Sequence, residues 1–215
     1  MKVSLVSITP NAEEHLLYMA RVSNPENQNS NNPGLIKYLI NSKHWSPFEM
    51  VNMVLEVETS RAIAAQILRH RSFSFQEFSQ RYQDVTKLGA TYEHTRARRQ
   101  DTKNRQSSLD NLDDETIKWF DQAQAEQYER AINLYKSALL MGISKEQARL
   151  LLPLQTTTRM YINGTVRSWI HYFQARTAWD AQLEHREVAL AAQAIFIQEL
   201  PITSQALGWN LEYNG

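Results

Sequence analysis

The chain has 215 residues, 42% of them apolar, which suits one domain with a real core or a domain carrying a long insertion. Lys plus Arg and Asp plus Glu number 23 each, and a zero net charge argues against a dedicated duplex-binding protein, which is usually basic. Cysteine is absent, so disulfides, thiolate metal sites and thiolate nucleophiles are excluded. No apolar run is long enough to span a bilayer, and the opening residues, Met1 to Ile8, are too short and too polar a stretch for a signal peptide, so a cytoplasmic location is expected. The six histidines show no zinc-binding spacing, and the six glycines form no phosphate loop.

Residues 2–8 set Val3 and Leu5 against Ser4 and read as a half-buried strand. Thr9-Pro10-Asn11 is a turn. Leu16, Leu17, Met19, Ala20 and Val22 predict a short helix. Residues 24–33, rich in Asn and Pro, predict a polar loop, and 34–42 a helix through Leu35, Ile36, Leu39 and Ile40. Ser46-Pro47 marks a turn or helix start after His44 and Trp45. Residues 51–58 alternate and predict a strand; Thr59-Ser60 then caps a helix from Arg61 to about Leu68.

The next stretch, Arg69 to Tyr82, packs three arginines, a histidine, a glutamate, three serines and four aromatic rings together. Guanidinium forks so dense suit a phosphate or diphosphate. Arg69 and Arg71, and again Ser79 and Arg81, are two residues apart. On extended backbone each pair points one way, which predicts two donor pairs lining a pocket.

Residues 86–115 read as a long loop with a basic half (Arg96, Arg98, Arg99, Lys103, Arg105) and an acidic half (Asp110, Asp113, Asp114, Glu115). It is a solvated insertion, or a lid or subunit contact. A long helix is predicted from Asp114 to about Met141, and Ser144 to Gln147 form a capping box for a short helix ending near Pro153. Residues 155–162 predict a strand and Asn163-Gly164 a turn. Thr165 caps a helix that buries Val166, Trp169, Ile170 and Phe173, and a last helix covers 181 to about 199, stopped by Leu200-Pro201. The tail from Trp209 is unassigned.

Four pieces have the character of a site: His44 to Glu49, Gln66 to Arg81, Arg149 in a leucine run, and Arg167, His171 and Arg176. Arg167 and His171 stand four apart and share a helix face distinct from the apolar one. A multi-piece anion site with aromatic rings fits either an enzyme handling nucleotides or a single-strand nucleic-acid binder. Zero net charge and the apolar surroundings of Arg69 and Arg149 favour the enzyme.

The Arg69-His70-Arg71 triplet, followed after seven residues by Ser79-Gln80-Arg81, resembles the signature of the flavin-dependent thymidylate synthases. Supporting matches are His44 with Ser46-Pro47-Phe48-Glu49, Arg149 with Leu152-Pro153, the segment from Asn163 to Arg176, and Ala181-Gln182 with Glu184. The loop from Arg98 to Gln106 is similar to that of a bacterial and phage subgroup. The resemblance implies a single α/β domain over 1–215, with a central, mostly antiparallel sheet flanked by helices. It implies conversion of dUMP to dTMP with FAD as cofactor, NADPH and methylenetetrahydrofolate as co-substrates, and a homotetramer with sites shared between subunits, without nucleic acid or membrane as partner. By the same resemblance Arg69, His70, Arg71, Ser46 and Glu77 hold FAD, with Thr165, Arg167, His171 and His44 close by. Gln66, Arg69, Glu77, Ser79, Gln80 and Arg81 hold dUMP, joined by Arg149 from another subunit. Arg176 matches the arginine at the uracil, where a guanidinium favours the N3-deprotonated ring and makes C5 nucleophilic. Thr165 and His171 stand where better-known members carry asparagines, and Met50 replaces a histidine.

Overall fold

A single open sheet carries the fold, and its two central strands come from opposite halves of the chain. The computed structural model describes residues 1–89 and 92–210. Strand β1 (Lys2–Ile8) precedes helices α1 (Ala12–Ala20) and α2 (Gly34–Asn41). Strand β2 (Asn52–Ser60) leads through α3 (Arg61–Ile67) into β3 (Phe73–Glu77). A small hairpin of β4 (Arg99–Gln100) and β5 (Ser108–Leu109) comes before the long helix α4 (Asp114–Leu140). Then follow α5 (Lys145–Ala148), β6 (Thr157–Thr165), α6 (Val166–Arg176), α7 (Leu183–Glu199) and α8 (Pro201–Leu207). The sheet order is β1-β2-β6-β3, antiparallel at each pairing, so the expected α/β class holds and the sheet is wholly antiparallel.

The alternation in β2 works as the sequence predicts. Met53, Leu55 and Val57 are buried, while Glu56 and Glu58 face outward, where Arg159 of β6 pairs with Glu58 across the ladder. The inner face of β6 is Thr158, Met160, Ile162 and Gly164. Helix α6 covers it and α7 covers β1 and β2 beside it, with Trp169, Phe173 and Phe196 fully buried. A second cluster packs α4, through Tyr128, Ile132, Tyr135 and Ala138, against Val85 and Ala148.

Several local expectations are corrected. Asn163-Gly164 is not a turn but lies inside β6, paired with β2 on one side and β3 on the other. The glycine is there for clearance: a Cβ at Gly164 would sit 2.4 Å from two carbons of the Phe73 ring. The donor pairs do not lie on extended backbone. Arg69 and Arg71 occupy turns between α3 and β3, and Ser79 and Arg81 a turn after β3, because the strand holds only the alternating Phe73, Phe75 and Glu77 against the helices. The expected loop of 86–115 holds a short 3-10 turn over Val85–Leu88 and the β4–β5 hairpin; residues 90 and 91 of it lie outside the described residues. The first helix ends at Ala20 rather than Val22.

Ser144 caps α5 through its backbone carbonyl, which accepts from the amides of Gln147 (3.0 Å) and Ala148 (2.9 Å), with no side-chain cap bond, and Arg149–Leu151 continue as a 3-10 turn. Leu200-Pro201 ends α7 but also opens α8, since proline is pre-shaped for a first helical turn. Trp209 packs on Phe173 and Phe196, and the tail beyond residue 210 lies outside the described residues.

Candidate active site

Three helix ends meet at one corner of the molecule. Helix α3 ends just before Arg69 and His70; α6 ends on Arg176; and α7 begins after Asp180, Ala181 and Gln182. Together they wall a cleft of about 360 Å³ lined by Gln66, Arg69, Arg176, Asp180 and Gln182, with Gln106 of the β4–β5 hairpin. Both arginines stand at or just past helix C-termini, where the exposed carbonyls favour a cation.

Arg176 is held from behind. Its Nε donates to Nε2 of His70 at 2.9 Å. The His70 ring lies edge-on to Tyr172, 4.9 Å between centroids, and 6.4 Å from Phe73. Burial, and then the Arg176 charge, hold the His70 pKa below its usual value. A neutral imidazole accepting at Nε2 carries its proton on Nδ1. Among the described residues Arg69 and Arg176 form no ion pair with a carboxylate. The cleft thus offers two guanidinium groups to an anionic or carbonyl-rich ligand.

His185, fully buried on α7, lies behind the same wall. Burial first, then the Arg176 charge and repulsion from His70 whenever that ring is protonated, lower its pKa to about 3. The unfolded chain, with an ordinary histidine near 6.5, binds this proton first. Between about pH 6.5 and 3 the unfolded state therefore holds more protons, and stability falls as pH falls through that window. The slope from this one group is at most about 1.4 kcal/mol per pH unit. Urea melts at pH 7 and pH 4.5 should show a steeper acid loss for the native chain than for His185→Leu; equal losses would contradict the assignment.

The other expected residues fall into two further groups. Ser46, His44, Glu49, Arg167 and His171 lie on one surface: Arg167 pairs with Glu49, and the rings of His171 and Trp45, and of His44 and Tyr38, stand edge-on with centroids 5.4 and 6.1 Å apart. Ser46 lines a shallow apolar depression of about 490 Å³ with Tyr18, Met19 and Met50. The Thr165 hydroxyl is already engaged, accepting from the Ser168 amide at 3.2 Å as the cap of α6. The third group surrounds Glu146, which takes Arg81 at 3.4 Å through its carboxylate and Arg149 Nε at 3.3 Å through its carbonyl. Ser79 and Gln80 lie beside Arg81 in the chain, Gln80 buried and Ser79 exposed. Glu77 faces inward, bound by Arg61 at 2.5 Å and the Thr158 hydroxyl at 2.9 Å. Arg71 is exposed in its turn.

One cleft therefore gathers Gln66, Arg69 and Arg176, with His70 behind Arg176. Within one chain Ser79, Gln80, Arg81 and Arg149 do not line it. Sequence reasoning did not single out Tyr172, His185, Asp180 or Gln106 as members. Gln106, like Gln182, sat inside a matched motif. Tyr172 and His185 bore no local pattern that links them to residues more than 90 positions away.

The family described as thymidylate synthase complementing protein matches residues 4–202 of this chain. A flavin-dependent thymidylate synthase of Synechocystis sp. is 52% identical over 219 residues, covering 97% of this chain and 100% of that protein. A probable flavin-dependent thymidylate synthase of Paramecium bursaria Chlorella virus 1 is 49% identical, with coverage of 97% and 100%. Among solved structures, a UMP/dUMP methylase, PolB of Streptomyces cacaoi, bound with 5-Br UMP, superposes with a TM-score of 0.83 at 30% identity, over 95% of this chain and 92% of that one. None of these matches supports the nucleic-acid binder.

Proposed function

This chain belongs to the flavin-dependent thymidylate synthases, and we propose on that premise that the corner cleft is where its nucleotide reacts. The enzyme is a flavin-using methyltransferase, and its substrate is a uracil nucleotide, which we take to be dUMP, with methylenetetrahydrofolate as one-carbon donor and NADPH as reductant. The observation that carries the site is Arg176, a guanidinium without a carboxylate partner among the described residues, fixed by a neutral His70 and lining a cleft with Arg69 and Gln66.

Arg176 beside N3 and a neighbouring ring carbonyl stabilises the negative charge of the N3-deprotonated uracil. The charge is delocalised onto C5, which becomes the nucleophile for the one-carbon unit. No cysteine adduct is needed, and none is available. Neutral His70 aligns Arg176 without competing for the anion, since an imidazolium there would repel the guanidinium. His70, Arg69 and Arg71 would hold FAD through hydrogen bonds, and the depression at Ser46, Tyr18 and Met50, apart from the cleft, would offer apolar surface. When bound, FAD supplies the hydride that completes the methyl group. The Thr165 hydroxyl is engaged in the cap, and of the first amides of α6 those of Val166 and Ser168 donate to the Val51 carbonyl and the Thr165 hydroxyl, which leaves the Arg167 amide for the proposed flavin contact.

The nucleotide phosphate is assigned to Ser79 and Arg81, with Arg149 from a neighbouring subunit. The separation of that group from the cleft supports a homotetramer with shared sites, as do exposed Leu140, Met141, Leu150 and Leu154. Purified protein with FAD, methylenetetrahydrofolate and NADPH should convert dUMP to dTMP; failure with each reagent present would overturn the reading. Ser79→Ala is expected to raise the dUMP KM roughly tenfold, as for a lost charge-assisted hydrogen bond, and to change kcat less. An unchanged KM in steady-state assays would count against the phosphate contact.

A further inference from the structure

Behind the cleft a chain of polar side chains crosses from α6 to α7. The Tyr172 hydroxyl lies 3.1 Å from Nε2 of His185, and Nδ1 of His185 lies 3.3 Å from Oε1 of Gln66. Nε2 of Gln66 donates to Oε1 of Gln182 at 2.6 Å, and Nε2 of Gln182 donates to Glu184 at 2.9 Å. The direction of this chain follows from its last member. An ionised carboxylate only accepts, so Gln182 gives it a proton and keeps its carbonyl for Gln66. Gln66 then donates through its amide nitrogen and keeps its carbonyl for His185. His185 donates through Nδ1, which leaves Nε2 to accept from the buried Tyr172 hydroxyl. Tyr172 and His185 are almost without solvent contact, so an unmade bond here would not be replaced by water.

We propose that His185 is a positioning residue for the nucleotide pocket: by donating to the Gln66 carbonyl it keeps that carbonyl turned inward and the remaining Gln66 N–H available to the cleft beside Arg176. Gln66 and Gln182 both line that cleft, whereas His185 does not. The inference rests on the nucleotide reading above and adds a member to the site from behind the wall. A buried histidine that merely fills space would leave ligand affinity alone, and this one grips a side chain on the cleft surface.

The test uses the FAD-loaded protein, with dUMP affinity read from the flavin spectrum. His185→Leu removes the donor and is expected to weaken dUMP binding on the order of tenfold, the effect of one lost buried hydrogen bond, with kcat at saturating dUMP changed less. His185→Asn places an amide N–H near the Nδ1 position without replacing the bond to Tyr172. It is expected to restore dUMP affinity more fully than thermal stability. Unchanged affinity in His185→Leu, or no recovery in His185→Asn, overturns the proposal. Nitrogen-15 NMR of the native protein gives an answer that does not depend on variants folding: a neutral His185 protonated at Nδ1 supports the chain, and one protonated at Nε2 overturns it. If the native protein takes up no dUMP, the nucleotide reading itself fails. If it binds dUMP and His185→Leu binds equally well, only this inference fails.

Discussion

Arg176→Ala should take up FAD like the native protein and turn over at least about a thousandfold more slowly, the scale of loss for a donor aimed at charge developing in the transition state. The size follows from how few groups are available for that charge. His70, the immediate partner of Arg176, is neutral, and Arg69 is the other cation lining the cleft. Removing Arg176 leaves the deprotonated uracil without its paired charge, and C5 loses its nucleophilic character. FAD uptake should survive because the proposed flavin contacts at Arg69, Arg71 and the Ser46 depression are untouched and His70 loses only its bond to Arg176. Arg176→Lys sharpens the test. It keeps a positive charge but not the planar fork, so it should recover only part of the activity. Flavin absorbance of the purified variants, followed by dTMP formation at saturating dUMP, measures both quantities; normal turnover in Arg176→Ala would remove the proposed role.

Gly164→Ala should lower stability by about 2–3 kcal/mol, because overpacking a close contact forces neighbours off their rotamers. The added methyl would lie 2.4 Å from two Phe73 ring carbons. Phe73 has little room to yield, with Trp169 at 4.7 Å and Tyr172 at 5.8 Å between ring centroids. For a chain of this size the loss corresponds to a fall in Tm of roughly 5–10 °C, read by calorimetry. Phe73 also touches His70, so the surviving folded protein should bind dUMP less well. A Tm equal to that of the native chain would mean that the strand pairing at Gly164 is looser than described.

The contrast between these positions shows what the sequence made legible. Strict alternation in β2 and the apolar stripe of α6 announced themselves, because burial acts on every second or every third to fourth residue. Arg69, His70, Arg71 and Arg176 were identifiable by their motif. Gly164 was misread because Asn-Gly is a common turn pair, and its true role depends on a ring more than 90 residues earlier in the chain. The donor pairs Arg69/Arg71 and Ser79/Arg81 were placed on extended backbone because a two-residue period is the only local cue available. Their real arrangement is set by where α3 ends and where β3 begins to bury its phenylalanines. Tyr172 lies inside the matched segment from Asn163 to Arg176, but neither it nor His185 carried a local cue to its partners. Their hydrogen bonds join α6, α7 and the end of α3, and no spacing rule reaches across such distances.

The most direct test of the central claim, that one cleft holds the nucleotide next to the flavin, is a titration of the FAD-loaded protein with dUMP, followed by its flavin absorption bands. A saturable shift of those bands by dUMP is expected, strongly weakened in Arg176→Ala despite equal FAD content. A spectrum that dUMP leaves unchanged in the native protein, with dUMP shown to bind by calorimetry, would place nucleotide and flavin apart and contradict it.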